Sequence, residues 1–270
     1  MIELKKNETE LTNEVMGKIS LSKDKQNLEK HVVNLSKTIV NLSKKTNVDI
    51  GDIKAKVIVV LDYSGSMRNL YYGNTGTIQN TINRLVPLGL TFDDNGTLDV
   101  YLFQNDYRKM KDITLHNYEN YVKKVIEKSD YTMGGTEYSP VLEAIINDGE
   151  SANNTGLLSK IFGFKNKKSD TNIQSKNDIT FVLFITDGEN SDQNSTDKVI
   201  IESSKRDKKT FIQFIGIGNE KFKYLEKLDN LGGRELDNTG FSKMADLERA
   251  SDTELYNNVL EQFAEWLKLI

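Results

Sequence analysis

Val57-Ile-Val-Val-Leu61 is an unbroken apolar run, mostly β-branched, that stops abruptly at Asp62. Such a run suits a central strand buried on both faces, and parallel sheets are where such strands occur. A second run, Ile179 to Thr186, ends in the same way, on Asp187. Two buried strands that each deliver a carboxylate at their C-terminal end already favour an open α/β sheet. In such sheets ligands bind beyond the carboxyl ends of the strands.

The segments between and around these runs fit that frame. A helix is expected over Thr77 to Val86, with Ile78, Ile82 and Leu85 inward and Pro87 ending or kinking it. Leu98 to Phe103 alternates and reads as a strand, followed by a helix near Tyr118 to Lys128. Ser139-Pro140 opens another helix, serine being a favoured N-cap and proline a favoured first residue. A helix near Asp197 to Arg206, a strand Phe211 to Ile217 and an amphipathic helix Asp252 to Leu269 complete the series. Strands alternating with helices predict a doubly wound, mostly parallel central sheet flanked by helices, Rossmann-like in plan. Residues 149–178, rich in Asn, Ser, Lys and Gly, read as an inserted loop with a small apolar island at Leu157 to Phe164.

The N-terminal part reads differently. Residues 1–27 are polar without clear periodicity. Leu28, Val32, Leu35, Ile39 and Leu42 then form a heptad-like stripe, and Val33-Asn-Leu-Ser-Lys returns as Val40-Asn-Leu-Ser-Lys. This helix either docks its stripe on the main domain or meets another chain. The expected division is a partly helical extension over 1–50 and an α/β domain over 51–270.

Composition narrows the function classes. A net charge of −4 with scattered Lys and Arg gives no basic field for nucleic acid. No apolar run reaches the ~18 residues of a membrane span, and the first residues lack a signal-peptide core. With no cysteine, disulfides and thiolate metal sites are excluded. The expectation is a soluble cytoplasmic protein that binds neither nucleic acid nor membrane.

Three loops at the expected sheet edge carry the chemistry. In Asp62-Tyr-Ser64-Gly-Ser66 the alternating residues aim three oxygens at one point, and Gly65 permits the tight turn. Met133-Gly-Gly-Thr136 precedes the Ser139-Pro140 helix, and Thr186-Asp187-Gly-Glu189 follows the second buried strand. Together they offer carboxylates and hydroxyls without imidazole or thiol. Hard oxygen donors select Mg²⁺, or Mn²⁺ or Ca²⁺, over Zn²⁺ or Cu²⁺. Glu137 and Glu189 are further ligands or solvated rim charges. His31 and His116 stand isolated in sequence. Tyr71-Tyr72 forms a contact rim or packs inward.

Asp62-x-Ser64-x-Ser66, then Thr136, then Asp187 resembles the metal-ion-dependent adhesion site of von Willebrand factor A domains. The resemblance runs from about Ala55 to the C-terminus. Val86-Pro-Leu-Gly-Leu-Thr-Phe-Asp-Asp-Asn-Gly, Gly134-Gly-Thr-Glu-Tyr-Ser-Pro-Val, Phe184-Ile-Thr-Asp-Gly-Glu-Asn and the ending around Trp266 resemble the tellurium-resistance-associated, TerF-like subgroup. The resemblance implies a metal held by Asp62, Ser64, Ser66, Thr136 and Asp187. It also implies a protein partner that supplies an Asp or Glu carboxylate, in a bacterial stress response. Catalysis is not expected. The alternative is an Mg²⁺-dependent phosphotransfer or hydrolase reaction with Asp62 as nucleophile. That chemistry calls for a lysine or similar charge stabiliser, and the three loops contain none. The terminal helix, bearing the lone Trp266, is expected to pack beside the site-bearing edge.

Overall fold

The computed structural model describes residues 4–19, 25–153 and 179–270. Its strands are β1 (Ala55–Asp62), β2 (Asp99–Phe103), β3 (Tyr107–Lys109), β4 (Ile179–Thr186), β5 (Thr210–Ile217) and β6 (Thr239–Met244). They form one sheet in the order β3-β2-β1-β4-β5-β6, parallel throughout except for the antiparallel edge strand β3. The helices are α1 (Glu8–Ile19), α2 (Lys25–Thr46), α3 (Arg68–Tyr72), α4 (Thr77–Phe92), α5 (Ser139–Asn153), α6 (Gln193–Ser203), α7 (Lys223–Asp229) and α8 (Asp252–Trp266).

Strand alternation divides the core between the two faces. Val57, Val59 and Leu61 of β1 join Phe181, Leu183 and Ile185 of β4 in a layer with α1, α2, α4 and α8. Ile58, Val60, Val182 and Phe184 point the other way, into a layer with α5, α6 and α7. Both faces are covered, so the strands can be apolar without interruption.

The stripe of α2 docks on the main domain. Leu28, Val32, Leu35, Ile39 and Leu42 are all buried in the same cluster as β1. Arg84 of α4 bonds Asp252 of α8 at 2.9 Å, and His31 and Asn34 of α2 reach the same carboxylate at 2.8 and 2.9 Å. The isolated histidine of the sequence thus joins a part-buried clasp between three helices.

Several expectations need correction. Residues 1–27 contain α1, with Leu11, Val15 and Ile19 buried at four-residue spacing. Its start is signalled by Asn7-Glu-Thr-Glu10: Glu10 N–H donates to the Asn7 side chain and Asn7 N–H to the Glu10 carboxylate, a reciprocal cap. Pro87 does not end α4, which continues to Phe92. Proline in a helix interior costs about 3 kcal/mol. Burying Leu88, Leu90 and Phe92 returns roughly 5–9 kcal/mol. The helix expected near Tyr118 to Lys128 is one wide turn, Val122–Ile126, where Glu127 N–H reaches the Val122 carbonyl. Asn120, at φ 56°, interrupts the backbone before it. The insertion begins later than expected, since α5 runs to Asn153. Residues 154–178, with the Leu157 to Phe164 island, lie outside the described residues. β3, β6 and α7 carry no clear periodicity and were not expected.

Candidate metal centre

β1 lies between β2 and β4, so the chain departs from it in opposite directions and the loops after β1 and β4 splay apart. That is the switch point where open α/β sheets bind ligands. The register pairs Leu61 with Ile185. One residue further, Asp62 stands beside Thr186 on the same face, and the Thr186 hydroxyl donates to Asp62 Oδ2 at 2.6 Å. The other carboxylate oxygen accepts the Ser64 N–H at 2.8 Å. The Tyr71 hydroxyl fixes the Asp62 carbonyl at 2.8 Å.

The remaining oxygens follow in a chain. Ser64 Oγ and Ser66 Oγ lie 3.0 Å apart, and Ser66 Oγ donates to Asp187 Oδ1 at 2.9 Å. The structure therefore brings Asp62, Ser64, Ser66 and Asp187 together directly. Asp62 and Ser64 are buried, Ser66 is exposed and Asp187 is half-buried, so the group opens to solvent on the Ser66 side.

Thr136 is tied to the group only indirectly, by the backbone of its loop. Ser64 pairs with Gly134 as an isolated parallel bridge, and Gly65 N–H donates to the Gly134 carbonyl at 3.1 Å. The Thr136 carbonyl accepts the Ser191 N–H at 3.0 Å, which ties the loop to the one after β4. Gly134 leaves room for Gln104: a Cβ there would fall 2.0 Å from Gln104 Oε1 and displace that side chain. Gln104 and Asn105 lie in the β2–β3 turn, and Asn105 Oδ1 accepts the Gly135 N–H at 2.8 Å.

The electrostatics are those of carboxylates without a counter-ion among the described residues. Burial pushes the Asp62 carboxyl up to about 6, against the opposing hydrogen bonds from Thr186 and Ser64. Burial also raises Asp187, with Ser66 opposing. Two carboxylates and three hydroxyl-bearing residues offer hard oxygen donors of low total charge. A divalent cation with oxygen preference fits that set. Asp62, Ser64, Ser66, Thr136 and Asp187 are the residues that could hold it.

The rim residues divide. Tyr71 packs inward, whereas Tyr72 is 38% exposed and shares a short hydrogen bond with the Tyr63 hydroxyl. Glu189 is exposed and accepts from Tyr224 N–H at 3.3 Å; Glu137 accepts from Asn105 at 3.2 Å. Thr186 escaped sequence reasoning because its bond to Asp62 depends on strand register. Trp266 lies elsewhere. It stacks near Phe211 and Phe263, and Phe211 stands at the start of β5, so the tryptophan sits at the sheet edge opposite the loops. The expectation that the end of α8 packs beside the site is wrong. Its apolar face follows the sheet back toward the N-terminal ends of the strands.

A parallel sheet with an antiparallel edge, helices on both faces and these loops at the switch point define a von Willebrand factor A-type domain. Residues 54–270 match the family described as the vWA domain found in the TerF C terminus, and the chain belongs to that vWA-TerF-like family. It is 36% identical over 218 residues to the uncharacterized protein YcbR of Bacillus subtilis (strain 168), covering 80% of this chain and 79% of that one. Among solved structures it is similar to proximal thread matrix protein 1 from the mussel byssus, at 17% identity and a TM-score of 0.49, covering 79% of this chain and 49% of that one. It is also similar to a von Willebrand factor type A protein from Catenulispora acidiphila, at 14% identity and a TM-score of 0.49, covering 79% and 42%. The chain spans less than half the length of either solved structure.

Proposed function

We propose that this chain is a metal-dependent protein-binding module of the adhesion type. Mg²⁺, or Mn²⁺ or Ca²⁺, is held by Asp62, Ser64, Ser66, Thr136 and Asp187, and a partner protein supplies an Asp or Glu carboxylate to it. The observation that carries this reading is the hydrogen-bonded chain at the switch point, from Asp62 to the Ser64 N–H and from the Ser64 hydroxyl through Ser66 to Asp187. Only two of the five residues are acidic, so they just neutralise a bound divalent cation and the weakly donating hydroxyls leave it electron-poor, able to accept an outside carboxylate. The exposed Ser66 side is where that carboxylate approaches.

The module acts by binding, without catalysis. Both Asp62 oxygens are engaged, one by the Ser64 N–H and one by the Thr186 hydroxyl, which favours a fixed support over an attacking nucleophile. From the resemblance of its motifs to the tellurium-resistance-associated subgroup, we further propose a role in a bacterial response to tellurite or related chemical stress. No helix among the described residues is long and apolar enough to cross a membrane. We place the module in the cytoplasm, with a protein as its partner and neither nucleic acid nor membrane.

The test is affinity capture from the native cytoplasm with Mg²⁺ and with chelator. A protein retained by the wild-type chain only with Mg²⁺, and by Asp187→Ala in neither case, is the expected outcome. Equal retention with and without metal would refute metal-dependent binding.

A further inference from the structure

The loop that carries Asp187 closes around one side chain. The Tyr138 hydroxyl donates to the Gly188 carbonyl at 2.5 Å, at the start of the loop. The Tyr138 N–H donates to Asp192 Oδ1 at 2.9 Å, at its end, and the Ser139 N–H to Asp192 Oδ2 at 2.7 Å. Between these points Ser191 N–H holds the Thr136 carbonyl. The Asp187 loop and the Thr136 segment are thereby one unit, stapled through Tyr138.

The same hydroxyl lies 3.3 Å from Thr186 Oγ1, whose hydrogen goes to Asp62 Oδ2. The phenol cannot turn away from this position. Its ring is fully buried, edge-on to Phe103 and Phe184 at 5.6 and 4.8 Å and stacked near Phe214 at 6.3 Å. One rigid ring thus presents one hydroxyl to the supports of both carboxylates.

We propose that Tyr138 is a positioning residue for the metal centre: its hydroxyl fixes the Asp187 loop relative to the Thr186–Asp62 pair, so that both carboxylates meet one cation. This rests on the metal-binding reading above and adds a residue that touches no ligand. Without the Tyr138 hydroxyl, Gly188 keeps the longer bond from its N–H to Thr186 Oγ1 at 3.3 Å; a loop so loosened is competent for metal only part of the time, and affinity falls by that fraction. Outer partners of metal ligands typically contribute 10–100-fold to affinity.

Tyr138→Phe keeps the ring and deletes only the hydroxyl. Two measurements on it decide the matter. Mn²⁺ titration, reading free Mn²⁺ by electron paramagnetic resonance, is expected to show affinity about tenfold or more below wild type. Melting of the metal-free variant is expected to stay close to wild type. Affinity within twofold of wild type would overturn the proposal. Amide exchange on the metal-free protein reads the anchoring without any metal. Ser191 is expected to exchange about tenfold faster in the variant, with Val182 to Ile185 of β4 unchanged. If wild type takes up no Mn²⁺, the metal reading fails and the exchange rates alone decide the anchoring role. Unchanged exchange at Ser191 would overturn it.

Discussion

Thr186 donates its hydroxyl hydrogen to Asp62 Oδ2 across 2.6 Å, between two neighbouring parallel strands and out of contact with water. The pair follows from the register of β1 on β4. It holds a carboxylate in an apolar setting with hydrogen bonds but no cation among the described partners. Two consequences are measurable.

Asp62→Asn removes the buried charge and keeps the shape. The Asp62 carboxyl is raised by burial from 3.8 to about 6, so its folded form prefers the proton. Its contribution is therefore favourable at acid pH and is lost as pH rises through 6, a cost of roughly 3 kcal/mol at pH 7.5. The variant is expected to be more stable than metal-free wild type at pH 7.5, by up to that amount, and to lose stabilisation by Mg²⁺. Urea unfolding with chelator and with Mg²⁺ measures both. A metal-free variant less stable than wild type would contradict the electrostatic assignment.

Metal binding should weaken in mild acid. The cation competes with the proton on Asp62, so its affinity falls about tenfold per pH unit below 6. The melting-temperature increment from Mg²⁺ is expected to be large at pH 7.5 and small at pH 5. An increment that does not change between these values would place the proton elsewhere.

Much of this site was readable from residue order, because Asp62, Ser64 and Ser66 follow a buried strand whose length and β-branching are unmistakable. Asp187 and the sheet plan were readable for the same reason. The supports were not. Thr186 acts through strand register and Tyr138 through loop closure, and neither leaves a period in the sequence. The α2 stripe was legible as a stripe, but its partners α4 and α8 are far along the chain. β6 stayed hidden because Thr239-Gly-Phe-Ser-Lys-Met pairs through its backbone at a sheet edge, where an apolar run is not needed.

The clasp on Asp252 should be a major anchor of α2. Burial opposes its ionisation, yet hydrogen bonds from His31 and Asn34 with the Arg84 charge hold its carboxyl well below the usual range. Its contribution is present above the unfolded value near 4 and is lost as pH falls through the folded value. Asp252→Ala leaves the buried Arg84 charge with only the Leu247 and Ala250 carbonyls and no carboxylate among the described residues, and should cost about 3–5 kcal/mol at pH 7. The difference from wild type should shrink below pH 4. Chemical unfolding across that range provides the check.

Leu35 of α2 is buried in the same cluster as Val59 of β1. Leu35→Ala is expected to destabilise the whole molecule by about 2–5 kcal/mol, in one cooperative transition. A separate early transition, with the sheet unaffected, would mean that α2 folds apart from the main core.

Calorimetric titration of Mn²⁺ or Mg²⁺ into the purified chain bears most directly on the central claim. Wild type should bind one ion per chain, and Asp62→Ala and Asp187→Ala, both still folded, should bind none. Uptake by either variant with wild-type stoichiometry and affinity would show that the ion does not sit among these loops.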